Sequence, residues 1–416
     1  MKIETKSQGV EYYWVAKAYR SVKKGGQATG VDEQSMEDFE KQLNDHLYKL
    51  WNRMSSGSYM PSPVREYEIP KTDGQKRKLG IPTVSDRIAQ RVVKDYMEPK
   101  LEKVFHPSSY GYRPGRNAHQ ALQTCVENCR KYSWAIDLDI KGFFDNLDHE
   151  LLLRAVRHHF KEKWILLYVE RWLKAPIIQA DGQRQTREGG TPQGGVISPL
   201  LANLFLHYAI DQWLKLRHPT LKFERYADDC VLHCRSKSEA ERVLSDLKIR
   251  LERLKLRLHE SKTKIVYCKQ SRREVMYPEV TFTFLGHYFR PYRARNKEGK
   301  SFLSFGPEIG KSASKAIIAS LRRMQLHRKT GRSIEQLAQE LNPKLQGWIS
   351  YYRRYGGSKF RYILHLLNIR LLKWVRWRHK LRGRTGKIID KMLMYYHANP
   401  KLFAHWHMGI KPMRAT

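Results

Sequence analysis

The sequence predicts an α+β protein in two parts, with hairpins set among amphipathic helices up to about residue 289 and an almost wholly helical final third. Three observations predict it. Short apolar runs broken by turn residues recur through the first part, as in "VREYEIPKTDGQKRKLGIP" and "FERYADDCVLHC". Between them apolar residues return at helical spacing, as Phe39, Leu43, Leu47 and Leu50 do. Beyond residue 300 the strand signals stop, and Leu364, Leu367, Leu371 and Trp374 fall on one helical stripe that reads as a core.

Residues 1–54 are polar and mostly helical in pattern, and "SSGSYMPSP" ends that run. A β-hairpin follows, turning at Asp73-Gly74, because this pair tolerates the positive φ of a tight turn. Lys71, Lys76, Arg77 and Lys78 surround the turn. Helices at about 84–103 and 117–131 lead to a strand at 134–140. Asp148 reads as an N-cap, since its carboxylate can accept from the free N–H groups of a first helical turn; two helices follow between 148 and 175. A Gly-rich loop, "REGGTPQGG", precedes a long apolar helix. Then come the hairpin at 223–234, a helix at about 236–257, and strands near 264–268 and 280–289. "RPYRARNKEGK" is charged, Gly-bearing and aperiodic, and so reads as a linker. Helices are expected at about 312–328, 333–355, 358–382 and 386–398. The domains drawn from this pattern are 1–60, 61–289, 301–383 and a short basic segment, 384–416.

Lysine and arginine outnumber aspartate and glutamate 78 to 41, a formal charge of +37 that calls for a polyanionic partner, nucleic acid first, rather than a small substrate. From Arg290 onward the counts are 29 and 5, so the final third carries most of the surplus. A merely solvated helical face would mix the two signs. Five cysteines with no signal peptide ahead of them fit a reducing compartment. Cys125-x3-Cys129 and Cys230-x3-Cys234 lie inside periodic apolar segments without the tight loops of a zinc knuckle, and read as core. No apolar run approaches the ~20 residues that span a bilayer, so no membrane role is expected.

The adjacent acids Asp228 and Asp229 interrupt an apolar hairpin. Like charges there repel and lose hydration, at a cost of several kcal/mol unless something compensates. Either the pair marks a solvated turn or it holds metal. Asp139 closes the 134–140 strand; if the two strands pair, its carboxylate meets Asp228 in one cleft, an arrangement suited to two Mg²⁺ about 3.5–4 Å apart. Asp137 faces the same side of the strand and is a rival ligand.

"DIKGFFD", "TPQGG" and "YADD" follow one another in that order. With them the chain resembles the reverse transcriptases encoded within bacterial group II introns, the intron maturases. "GVDEQSMEDFEKQL" resembles the family's N-terminal extension, "SYGYRPGRNAHQAL" its fingers segment and "LNPKLQGWISYYRRY" the start of its maturase-specific thumb. The resemblance implies a right-hand polymerase: an N-terminal extension and fingers in 1–60, fingers and palm in 61–289, and a helical thumb in 301–383. It implies that Asp139 and Asp228 bind two Mg²⁺, assisted by Asp229. Phe144 would lie under the sugar C2′ of the incoming nucleotide and admit deoxyribose, with Phe143 in the core. Lys71 and Arg77 would grip the triphosphate, although an exposed basic turn is the plainer reading of those residues. Gln193 would support sugar and base, and Gly194, with Gly195, would allow close backbone approach. Lys262, or Lys264 two residues on, would protonate the departing pyrophosphate. Leu285 and Gly286 in "FTFLGHYF" would grip the primer, a stretch that reads nearly as well as a core strand.

The basic third interleaves rings with cations, the composition that stacks on unpaired bases and meets phosphates. Arg353, Arg354, Arg370, Lys373, Arg376, Arg378 and Lys380 are the RNA-binding candidates. The partners implied by the resemblance are the group II intron RNA, an RNA template/DNA primer duplex, deoxynucleoside triphosphates and target DNA, met in the bacterial cytoplasm or at the nucleoid. No cysteine follows Trp374, so the metal-binding endonuclease of many relatives is not expected. Two alternatives remain from the residues alone: a reverse transcriptase recruited to phage defence or otherwise domesticated, without an intron, and a splicing cofactor that binds RNA without polymerising.

Overall fold

The computed structural model describes residues 8–70, 76–273, 275–381, 383 and 385–412. They form two compact units, the first of residues up to 125 with 134–265, the second of 126–133 with 266 onward. The first unit is mixed. Helices α1 (Tyr12–Lys23), α2 (Met36–Lys41) and α3 (Leu43–Ser56) precede the ribbon of β1 (Val64–Pro70) and β2 (Lys76–Ile81). Then come α4 (Val84–Glu102), the first half of α5 (Ala118–Lys131), β3 (Trp134–Leu138), α6 (His149–His159), α7 (Lys163–Lys174), β4 (Ile177–Ile178), β5 (Arg184–Gln185), α8 (Ser198–Leu206) and α9 (Gln212–Arg217). The unit closes with β6 (Lys222–Tyr226), β7 (Asp229–Cys234), α10 (Lys237–Arg253) and the first residues of β8 (Lys264–Tyr267).

Side-chain caps start several of these helices. Thr83 accepts from the Asp86 N–H at 3.1 Å and Ser236 from that of Glu239 at 3.1 Å. Asp148 caps α6 as the sequence predicts, accepting from Leu151 at 2.8 Å. The ribbon of β1 and β2 is antiparallel, and its sheet runs β2-β1-β4-β5. Lys71 and the Asp73-Gly74 turn lie outside the described residues.

The second sheet sets the candidate site. Its order is β6-β7-β3, and the opening of β8 continues it past β3. β3 runs antiparallel to β7 with Leu138 opposite Cys230, which brings Asp139 alongside Asp229. β6 pairs with β7 so that Tyr226 faces Asp229, leaving Ala227 and Asp228 as a two-residue turn. Cys230 through Cys234 of β7 are buried, as are Cys125 and Cys129 one turn apart on α5; none of the five cysteines forms a disulfide.

In the second unit β9 (Phe282–Phe284), β10 (His287–Arg295) and β11 (Ser301–Ile309) form an antiparallel sheet ordered β11-β10-β9. The stretch read as a linker is therefore a ribbon, with Arg290 opposite Gly306 and Arg295 opposite Ser301. Its strands are largely half-exposed, so they pair through the backbone without the apolar alternation that signals a strand. Helices α11 (Lys311–Arg323), α12 (Ile334–Tyr352), α13 (Gly357–Arg378), α14 (Thr385–Ala398) and α15 (Ala404–His407) follow. Leu364, Leu367, Leu371 and Trp374 are buried, as their spacing predicts. Residues 385–411, read as a short basic segment, help complete this core through Met392, Phe403, Trp406 and Ile410. The buried Asn368 ties them in, donating to the carbonyls of Ile410 and Lys411 and accepting from the Trp406 indole at 2.9 Å.

Candidate active site

Asp139 follows the last residue of β3, and the segment before β8 fixes its backbone. The Asp139 N–H donates to Thr263 Oγ1 at 3.3 Å, and its carbonyl accepts from the His259 N–H at 2.8 Å. The carboxylate stays free of hydrogen bonds among the described residues, with Lys262 Nζ 3.9 Å from Oδ2. Asp137 stands one repeat back along β3, opposite Val231.

Burial raises the pKa of Asp228, and the charge of Asp139 raises it further, while Arg77 and Arg225 pull it down. Asp229 is pushed up to about 6, first by lost hydration, then by Asp228 and Asp139. Its side chain still reaches solvent, so crowding by packed chain and neighbouring charge acts at a site open to ions. Carboxylates that discourage one another's ionisation in this way fit a divalent cation, which relieves the repulsion directly.

What holds this hairpin is a group the motifs do not announce. Arg225, on β6, is fully buried, and its guanidinium meets both carboxylate oxygens of buried Asp211, at 2.7 and 2.6 Å. It also donates to Asn203 Oδ1 at 3.0 Å, to Ser109 Oγ at 2.9 Å and to the carbonyl of Ala227 at 3.0 Å. Ala227 has φ +57, so Arg225 pins the carbonyl of a left-handed turn residue directly before Asp228. Asp211 ends a π-helical turn, His207–Asp211, between α8 and α9. Burial alone would raise the Asp211 pKa, but Arg225 outweighs it and leaves the acid below its ordinary value.

Opposite the hairpin, Arg77 Nε donates to Gln193 Oε1 at 2.7 Å, joining two predicted nucleotide contacts. Arg77 also acts on the charges of Asp228 and Asp229. The Gly80 N–H donates to the Gln193 carbonyl at 2.8 Å. Gly194 has φ +126, and a Cβ there would lie 2.5 Å from the Gly80 carbonyl oxygen, so only glycine fits where this loop passes the backbone of β2. The Phe144 carbonyl accepts from the Thr191 N–H at 2.8 Å. The Phe144 ring is 8% exposed, packs edge-on against buried Phe143, and borders a cavity of about 310 Å³ shared with Gln193, Lys78, Glu66 and Arg187.

The remaining predicted residues belong to the second unit. Leu285 and Gly286 form the turn between β9 and β10, with φ +49 and +72, and the Leu285 carbonyl accepts from the Tyr351 hydroxyl at 3.0 Å. Arg353, Arg354, Lys373, Arg376, Arg378 and Lys380 are exposed. Arg370 is not: it is half-buried, and lost hydration followed by the nearby charge of Arg322 lowers its pKa. Spacing missed this because Arg370 lies on the edge of the stripe whose Leu371 and Trp374 are core.

Residues 69–289, more than half of the chain, match the family model described as reverse transcriptase (RNA-dependent DNA polymerase). The chain belongs to the reverse transcriptase family. Residues 314–393 match the group II intron, maturase-specific domain, so this reverse transcriptase carries both modules of a group II intron protein. It is 32% identical over 353 residues to Protein YkfC of Escherichia coli (strain K12), an alignment covering 75% of this chain and 90% of that protein. It is 32% identical over 265 residues to the group II intron-encoded protein LtrA of Lactococcus lactis subsp. cremoris, covering 64% of this chain and 42% of LtrA. A third relative is an uncharacterized 91 kDa protein in the cob intron of Schizosaccharomyces pombe, 30% identical over 171 residues, which are 41% of this chain and 21% of that one. The family match implies a polymerase fold, consistent with the mixed helices and sheets of the first unit, in which β1, β2, β3, β6 and β7 pair antiparallel and β1 meets β4 in parallel.

Proposed function

We propose that this reverse transcriptase copies RNA into DNA, extending a primer hydroxyl at the Asp139, Asp228 and Asp229 cluster, within a right-hand arrangement of fingers, palm and helical thumb. One observation carries the reading: pairing of β3 with β7 aligns acids ninety positions apart in sequence, and their charges act on one another. Asp139 and Asp228, with Asp229 assisting, would hold two Mg²⁺, which when bound lower the pKa of the primer 3′-hydroxyl and neutralise the triphosphate.

Arg77 orients the triphosphate of a deoxynucleotide, with Lys71 as its partner, and its bond to Gln193 couples that grip to the loop carrying Gly194. Phe144, held through its carbonyl by Thr191, presents a ring edge that excludes a ribose 2′-hydroxyl. Lys262, within 3.9 Å of Asp139, or Lys264 two residues on, gives a proton to the leaving pyrophosphate. Leu285 and Gly286 grip the primer end.

The maturase-specific domain supports binding of a group II intron RNA, and the exposed cations of residues 353–380 supply its phosphate contacts. Splicing assistance, target-DNA invasion and a place in the bacterial cytoplasm near the nucleoid belong to the same reading. Primer extension on an RNA template tests it: Asp228→Asn should abolish extension, and wild-type rates would remove the assignment. Splicing of the parent intron at physiological Mg²⁺ should need the protein but not Asp228.

A further inference from the structure

The "SYGYRPGR" segment, residues 109–116, takes no part in the roles above, yet it is bolted to the hairpin that carries Asp228. Ser109 bridges Arg225 in parallel, the Tyr110 N–H donates to the Arg225 carbonyl at 2.8 Å, and the Arg225 N–H donates to the Ser108 carbonyl at 2.9 Å. Asn203 Nδ2 donates to the Gly111 carbonyl at 2.7 Å. A Cβ on Gly111 would stand 2.4 Å from the Ala227 nitrogen, so the two backbones touch directly beneath the turn.

The residue that emerges from this clamp is Tyr112, with φ +57 and a ring 54% exposed. A bulky side chain rarely adopts the left-handed region, and such strain persists where the surrounding structure imposes it. Burial repays that strain only in part, since about half of the residue stays exposed. The Tyr112 ring lies 6.3 Å from that of Tyr226, at 45°, and the two tyrosines flank the catalytic turn. Burial raises the Tyr112 pKa, then Asp228 does, while Arg77 lowers it, so the phenol lies in the field of the same groups that form the site.

We infer that Tyr112 is a substrate-contact residue, a flat platform against which the terminal nucleotide pair of a template–primer duplex packs beside Asp228. The ligand class follows from the setting: an exposed aromatic face beside the Asp228 turn, on a backbone clamped to Arg225, suits the π-face of a base. The inference rests on the polymerase reading, which names the duplex as the substrate.

The test uses the full chain and two readouts. The first is fluorescence anisotropy of a labelled RNA-template/DNA-primer duplex without nucleotides, which needs no catalysis. The second is the KM for deoxynucleotide in single-nucleotide extension. Tyr112→Phe keeps the ring, whereas Tyr112→Asn and Tyr112→Gly remove it with residues that tolerate positive φ, so they relieve strain instead of adding it. The platform predicts that Phe binds the duplex as wild type does. Asn and Gly should weaken binding roughly tenfold, the scale of one base–aromatic stack removed, with an unchanged nucleotide KM and an undiminished melting temperature. Unimpaired binding by Asn and Gly overturns the inference, as does a change confined to the nucleotide KM or a weakening that tracks a lowered melting temperature. A wild-type protein that binds the duplex without extending it would sink the polymerase reading alone; an active one whose Asn and Gly variants bind normally would sink only the Tyr112 contact.

Discussion

Arg225 and Arg376 carry the same guanidinium into opposite surroundings. Arg225 is sealed inside the first unit, with Asp211, Asn203, Ser109 and a turn carbonyl around it. Arg376 stands exposed on α13, over a core built from Leu367, Leu371 and Trp374. A buried, fully bonded charge sets geometry, because any displacement leaves partners unpaired in a poor solvent. An exposed charge leaves geometry alone and stays available to a polyanion. The first unit thus uses its arginine to aim carboxylates, and the second uses its cations as a surface.

The largest effect should come from breaking the buried pair. Arg225→Met leaves the buried Asp211 carboxyl with only His207 beside it among the described residues, at a cost of about 3–5 kcal/mol measured by denaturant unfolding. Arg225→Met with Asp211→Leu should recover much of that loss while leaving polymerase activity low, since the Ala227 carbonyl is no longer held. Because Asp211 has a depressed pKa, the pair's contribution is present above the unfolded carboxylate value and is lost as pH falls through the lower folded one. Wild-type stability in the single variant would erase the contrast with Arg376.

Gly111→Ala comes next. Its Cβ would meet the backbone of Ala227, which no rotamer change relieves, so about 1–3 kcal/mol of stability should go, with a disproportionate fall in extension rate. On the other side of the comparison, Lys373→Ala, Arg376→Ala and Lys380→Ala should each change stability by less than about 0.5 kcal/mol. Each should flatten the log–log salt slope of RNA binding by about 0.7 for every phosphate that is no longer neutralised. Arg370→Ala should reverse the pattern, affecting stability more and the salt slope less, because Arg370 is half-buried.

The smallest effect concerns Asp229. Its folded pKa of about 6 exceeds the ordinary 3.8, so the folded protein binds this proton more tightly than the unfolded chain. The metal-free protein should therefore lose a little stability as pH rises from about 4 to 6, and Asp229→Asn should remove that dependence. Solvent access keeps the change modest, and a thermal-melting series across pH would register it.

Much of this arrangement was legible in the chain. The alternating hairpins and the stripe at Leu364, Leu367, Leu371 and Trp374 follow from local periodicity, and the meeting of Asp139 with the "YADD" turn is expected from ordered motifs on the condition that their strands pair. The hidden parts depend on pairings with no fixed spacing. Arg225 finds Asp211 only because a π-helical turn separates α8 from α9, and it finds Ser109 across more than a hundred residues. A cation in the buried middle of a short strand, three residues before two acids, was the available signal. Residues 290–300 misled as a linker because a half-exposed ribbon pairs through its backbone, and Asn368 draws in the C-terminal residues by bonds that no hydrophobic pattern encodes.

The central claim is that acids at positions 139 and 228 share bound metal. Replacing Mg²⁺ with Fe²⁺ and starting hydroxyl-radical chemistry cuts a backbone close to the ion. Cuts should fall in both 137–141 and 226–230 of one protein preparation, and both should vanish together in Asp139→Asn. Cutting at only one of these stretches, or cutting indifferent to that substitution, would contradict the account.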